Sequence, residues 1–339
     1  MESDMDQKQN ISRRKFLQIC GSFVAGGSIL GVTGVLMQKR FVTPENTTQN
    51  TTPSREETIS PYKLVSSFST PDKIEGFELY DDKLLVAASG NISIYDRRGT
   101  LLHYFAVDSN PRDIAVDNHL IYLLFPTRIE VYNEEGKRLR GWEACSGQSD
   151  YCSFVVASGA VFVTDAANKN ICKYTTDGDF VTLIQSPNNF IIPSYTFGIT
   201  HINGTIYCSN SGRHQIESYT FDGEYIGSFG KAGGATGMFC GCCNPVHLIH
   251  TPTGEIITSE KGNPRISCYS ADGRFRGLLL DSKALGGGNT AYEIKVHGDQ
   301  LFVAGKNRID TFRYDKTLAA RTACAGCGVN CPLRKGTTT

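Results

Sequence analysis

One short pattern constrains the fold of this chain more than any other feature. An isoleucine followed three positions later by an aromatic occurs six times, as "ISIY" ending at Tyr95, "IEVY" at Tyr132, "ICKY" at Tyr174, "IESY" at Tyr219, "ISCY" at Tyr269 and "IDTF" at Phe312. Five of the six aromatics are followed four residues later by glycine: Gly99, Gly136, Gly178, Gly223 and Gly273. Each glycine ends a polar turn such as "DRRG" or "TTDG", where a left-handed backbone is easiest without a Cβ, so each marks a hairpin tip. The aromatics are 37 to 50 residues apart. That length accommodates four short strands, the unit of a β-propeller blade. Within the second unit the strands read "RDIAV", "LIYLLF", "RIEVY" and "KRLRGW", alternating or continuous in apolar residues as buried blades require.

The sixth unit stops after its third strand, "RIDTFRY", while an orphan strand, "YKLVSSF" at 62–68, precedes the first unit. The orphan resembles the fourth strands "EYIGSFG" and "RFRGLLL". It is expected to complete the last blade and so remove an open sheet edge. The sequence therefore predicts an all-β chain: a six-bladed β-propeller over 61–320, closed by its N-terminal strand. Fifteen Tyr, eighteen Phe and 35 Gly agree with many short strands between turns. The text "EYIGSFGKAGGATGMFCGCCNPVHL", with "SNSGRHQIESY" and "SEKGNPRISCY", resembles the linker and turn-strand segments of NHL repeats across roughly 61–315. That resemblance implies the propeller and says little of function.

Lys+Arg and Asp+Glu are both 34, so no basic excess favours a phosphate backbone, and nucleic acid is not an expected partner. At the N-terminus, "SRRKFLQ" places Arg13 and Arg14 before an apolar stretch that runs to Met37. This resembles a twin-arginine export signal, which implies passage of the folded protein, with any cofactor already loaded, to the periplasmic face. No small-x-small cleavage site follows. Lys39 and Arg40 close a run of about 22 residues, long enough to anchor in the inner membrane, so 1–40 is read as signal or anchor. Cys20 lies too close to Arg14 for a lipoprotein cysteine. Residues 41–60, poor in large apolar groups, read as a tether.

The chain has twelve cysteines, and six fall in two windows: "CGCC", with Cys240, Cys242 and Cys243, and "CAGCGVNCP", with Cys324, Cys327 and Cys331. In a propeller, the loops from strand four to the next strand one, and from strand two to strand three, open on a common face, called here the upper face. "GMFCGCC" lies in such a loop before blade five, and "EACSGQSDYC", with Cys145 and Cys152, in the one before blade three. Glu260 and Lys261 open on the same face. The tail at 321–339 leaves from the lower face, but twelve extended residues reach about 40 Å and a six-residue strand is only about 20 Å long, so a return to the upper face is feasible.

The spacing C-x2-C-x3-C-P resembles the end of a bacterial ferredoxin motif, in which four thiolates hold a 4Fe-4S cluster. One cysteine of that motif is missing. Cys240, Cys242 or Cys243 is the expected source of the fourth thiolate, and zinc would accept the same ligands in a structural site. The competing reading is disulfides, natural for an exported chain, with Cys145–Cys152 the closest local pair. Adjacent Cys242 and Cys243 argue mildly against simple bridging, because a bond between neighbours is strained. Cys172, Cys208 and Cys268 fall inside strands and read as small buried side chains without chemistry.

A second candidate lies in the central channel. Just before the apolar stretch of each strand one stand Glu78, Asp113, Ser153, Gly198, His247 and Glu293. Three carboxylates and an imidazole suit a divalent cation, although solvated channel-lining groups would read the same. A six-bladed NHL relative, the peptidylglycine amidating lyase, holds zinc through several channel histidines; here only His247 stands at such a position. The other histidines lack ligand spacing, and no nucleophile motif or nucleotide fingerprint occurs, so no catalytic residue is assigned. The leading expectation is an exported propeller with a thiolate-bound iron-sulfur centre that transfers electrons within, or helps assemble, an envelope redox complex through a protein partner. The alternatives are a protein- or glycan-binding scaffold stapled by disulfides, and a metal-dependent lyase or hydrolase using the channel.

Overall fold

A computed structural model describes residues 60–318. Six four-stranded antiparallel sheets form the blades. Blade one is Ile74–Tyr80, Lys83–Ala88, Asn91–Asp96 and Leu101–Ala106, and the next four blades follow in the same order from the channel outward. The sixth is built from Glu293–His297, Gln300–Ala304 and Arg308–Tyr314, with Tyr62–Ser69 as its outermost strand. Phe68 stands opposite Ile309 and Tyr62 opposite Tyr314. The expected closure by the N-terminal strand is therefore what the chain does, and the ring has no open end between its first and last blades.

The repeated residues are the joints between blades. Tyr95, Tyr132, Tyr174, Tyr219, Tyr269 and Phe312 are all buried, and each belongs to the apolar cluster shared with the preceding blade. Six such clusters fill the six gaps between blades. Strand two of each blade is sandwiched between two of them, and in blade three every residue of Ala160–Asp165 is buried. At about 25 cal/mol per Å² of apolar surface removed from water, these wedges are the main stabilising term. Among the described residues no helix is long and apolar enough to cross a membrane.

The hairpin glycines have a second reason to be glycine. Gly273 has φ of 84°, and a Cβ there would fall 2.3 Å from the Phe229 ring, which lies in the outer strand of blade four. Gly159 has a similar φ, 77°, but open space around it. Gly159→Ala should carry only left-handed backbone strain, about 1–2 kcal/mol. Gly273→Ala should lose about 2–4 kcal/mol, because overpacking adds to the strain. Urea denaturation of the two variants separates the effects, and equal losses would show that the Phe229 contact does not select glycine.

Candidate thiol centres and central channel

The loop ahead of blade five is held from below and from both sides. Glu260, at the end of Glu255–Glu260, is 1% exposed; its Oε2 accepts from Arg265 Nη2 at 2.6 Å and from the Cys240 amide at 3.1 Å. Asn244 donates to the Cys240 carbonyl at 2.6 Å and to the Lys261 carbonyl at 3.0 Å, and accepts from the Lys261 amide at 2.9 Å. His214 Nε2 lies 2.8 Å from the Gly241 carbonyl. These contacts fix the backbone of 240–244, which carries the cis Asn244–Pro245 bond.

The fixed loop presents two sulfurs together. Cys242 Sγ, exposed, lies 3.3 Å from Cys243 Sγ, buried. Burial alone would raise the Cys243 thiol, yet hydrogen bonds from Cys242, Lys261 and Ser194, and the Lys261 charge, hold it below the ordinary cysteine range. Donation to Cys243 raises Cys242 in turn. Cys240 is raised by burial and by the Glu260 carboxylate beside it. One oxygen of the loop's floor is unused: Glu260 Oε1 is buried without a hydrogen-bond partner among the described residues. An orphaned buried carboxylate oxygen is costly unless water or a bound group meets it. A thiol held below the ordinary cysteine range is closer to the thiolate form that binds soft metals. Cys324, Cys327 and Cys331, like Arg13 and Arg14, lie outside the described residues.

Cys145 is not matched with Cys152. Both are free thiols, and the blade-three sheet separates them: Cys152 packs on the cluster shared with blade four, at a register shift between Tyr151 and Ser153. Cys145 instead meets Cys172, which lies in the cluster shared with blade two, at 3.0 Å between sulfurs. The side-chain alternation of a strand sets this, since it sends Tyr151 to one face and Cys152 to the other. Cys172, read from sequence as chemically idle, is therefore one half of a dithiol.

The channel holds about 390 Å³ between the inner strands. Register corrects the ring of equivalent positions. Gly76 opposes Ala87 as Asp113 opposes Leu124, Ser153 Thr164, and Glu293 Ala304. Gly76, not Glu78, thus belongs with Asp113, Ser153, Gly198, His247 and Glu293. A Cβ on Gly76 would sit 3.0 Å from the Asp113 Cα, and one on Gly198 3.2 Å from the His247 Cα, so two blades give the ring only backbone. Glu78 lies one layer further along, beside Lys295, its Oε2 accepting from Nζ at 2.8 Å. Ser153 Oγ donates to Asp113 Oδ2 at 2.8 Å, and Glu293 Oε1 accepts from the Phe77 amide at 3.2 Å.

Lys295, missed in the sequence because it stands two residues past Glu293, sets the channel's charge. Its ammonium is held above its usual range: burial opposes the charge, and the carboxylates of Glu78, Glu293 and Asp113 outweigh it. Burial raises Asp113, and burial with Asp113 repulsion raises Glu293 well above the carboxylate range. His247 falls to about 4 through burial and the Lys295 charge, and His201 to about 4 through burial and His250. Among the described residues, the only His, Cys, Asp or Glu group with three ligand atoms within 4.8 Å of one another is Cys145, Asp165 and Cys172. The expected quartet of Glu78, Asp113, His247 and Glu293 does not converge, because Glu78 stands one layer along the channel from the other three and is paired with the Lys295 ammonium.

The chain matches no protein-family model and no curated protein. Solved structures share its architecture. Virginiamycin B lyase from Staphylococcus aureus superposes at TM-score 0.56 and 13% identity, over 74% of this chain and 99% of that one. A streptogramin B lyase gives 0.53 at 15% identity, over 75% and 98%. The WD40 β-propeller domain of Doa1 gives 0.53 at 11%, over 76% and 98%. Identities this low show the propeller fold alone.

Proposed function

We propose that this chain is an exported β-propeller that carries a thiolate-bound metal centre, iron-sulfur or zinc, on its upper face, and serves electron transfer or assembly of a redox complex in the cell envelope. The ligands would be Cys243, aided by Cys242 or Cys240, together with Cys324, Cys327 and Cys331 of the tail. The observation that carries this reading is the preorganised Cys242–Cys243 pair, whose inner sulfur Lys261 holds toward the thiolate. Thiolates are the form that binds metal, so a site already biased that way loses less on proton release. The unpartnered Glu260 oxygen beside Cys240 adds to it. In the channel, by contrast, Lys295 already neutralises the carboxylates from within, which favours the thiol centre over a channel cation.

The full-length chain, purified without oxygen, should contain stoichiometric iron with acid-labile sulfide, or zinc, by elemental analysis. Cys243→Ser and Cys327→Ser should each lose most of that metal while keeping the β-sheet circular dichroism of the parent. A metal-free parent, or metal retained in both variants, overturns the proposal and leaves the scaffold stapled by disulfides as the better reading.

A further inference from the structure

The dithiol of blade three is a separate feature, two blade junctions away from the 240–243 loop, and nothing in the metal proposal uses it. Its two sulfurs are 3.0 Å apart, inside the usual contact distance of two thiols and about 1 Å beyond a disulfide bond of about 2.05 Å. Neither end needs to move far. The Cys145 amide donates to Tyr151 Oη at 3.2 Å, and the Ala144 amide to the Thr127 carbonyl at 2.8 Å, so the loop arrives already anchored. Cys172 is fixed in Asn170–Thr175, paired with Val163. Beneath them the Tyr151 and Tyr174 hydroxyls, 2.6 Å apart, bond to each other and brace the site.

Metal binding fits these residues less well than a covalent link. Asp165, the third member of the cluster, is saturated: its carboxylate accepts from the amides of Asp150, Ala167 and Asn168 and from Asn168 Nδ2. Access is one-sided. Cys172 is fully buried, whereas Cys145 is exposed in an open hollow of about 600 Å³ whose walls include Asn168, Phe180 and Leu183.

We propose that Cys145 and Cys172 form a reversible disulfide by exchange with small soluble disulfides of the glutathione class, tying the blade-two to blade-three loop to the third strand of blade three. Cys145, as thiolate, attacks one sulfur of the disulfide, forming a mixed disulfide and releasing one thiolate. Cys172 then loses its proton to solvent and attacks the Cys145 sulfur, closing the protein disulfide and expelling the second thiolate. Two protein thiols are oxidised, one small disulfide is reduced to two thiols, and electrons and protons balance. Burial, and then the contact with Cys145, push the Cys172 thiol up, so the second step is the slow one. Its rate should rise about tenfold per pH unit near neutrality, as the thiolate fraction does.

The experiment exposes the reduced full-length chain to glutathione disulfide, quenches with an alkylating agent, and maps the peptides by mass spectrometry. A peptide linking Cys145 to Cys172 is expected in the parent and in Cys152→Ser, forming faster at pH 8 than at pH 7. In Cys172→Ser, Cys145 should stop as the glutathione adduct. A Cys145–Cys152 link, or Cys145 and Cys172 both alkylated after exposure, overturns the proposal. The parent map alone decides this if a variant fails to fold.

Discussion

Arg265→Ala is expected to destabilise the protein by about 3–5 kcal/mol, the range for removing one partner of a buried ion pair. The Arg265 and Glu260 side chains are 8% and 1% exposed, and their charged atoms meet at 2.6 Å. Alanine would leave the Glu260 carboxylate in that site with the Cys240 amide as its remaining partner. Arg265 also donates to the Met238 carbonyl at 2.7 Å and reaches those of Gly234 and Ala235, so it holds the glycine-rich segment of the cysteine loop as well. Urea denaturation should therefore show the loss, and alkylation of Cys243 in the folded variant should quicken. Replacing both partners by apolar residues of similar volume, Glu260→Leu with Arg265→Met, should recover much of the stability, because no charge is then stranded. A loss below about 1 kcal/mol for Arg265→Ala would mean that water reaches the pair.

Lys295→Met should cost about 2–4 kcal/mol at pH 8, somewhat less than the roughly 3–5 kcal/mol of a fully buried pair, because Lys295 and Glu78 are 19% and 21% exposed. The loss should shrink toward pH 5. Asp113 and Glu293 have raised folded-state pKa values, so the stability linked to them is fully present below the ordinary carboxyl range and is lost as pH rises through the raised values. Removing the ammonium raises them further and widens that window upward. The channel histidines act in the opposite sense. His247 and His201, near 4 when folded against 6.5 when free, contribute stability above about 6.5 that is lost as pH falls toward 4. His247→Gln in the Lys295→Met background should remove part of that acid-side slope. Urea titrations at several pH values test both signs, and a Lys295→Met loss independent of pH would show that the carboxylates are not coupled to it.

The blade count, the hairpin tips and the closing strand were all legible in the sequence. They rest on local patterns: an aromatic in every fourth strand, a glycine where a turn needs a left-handed backbone, and an orphan strand before the first unit that matches the strand missing from the last. The cysteine loop was legible as a cluster, and Glu260 and Lys261 were placed beside it correctly. Its internal order was not, because Asn244, Arg265 and His214 act on it from three different segments. The tail cysteines and the export signal remain expectations from the sequence.

Sequence alone thus determined the architecture, since a propeller blade announces itself through residues that are neighbours along one strand or one turn. Only the tertiary structure decided which chemical groups meet. Glu78 stands two residues past Gly76, the ring position of blade one, and so lies one layer along the channel beside Lys295, while strand alternation turned Cys152 away from Cys145 and left Cys172 to meet it. The physical reason is the period of two along a strand: a one-residue step reverses the face a side chain occupies, a two-residue step carries it one layer along the same face, and composition records neither.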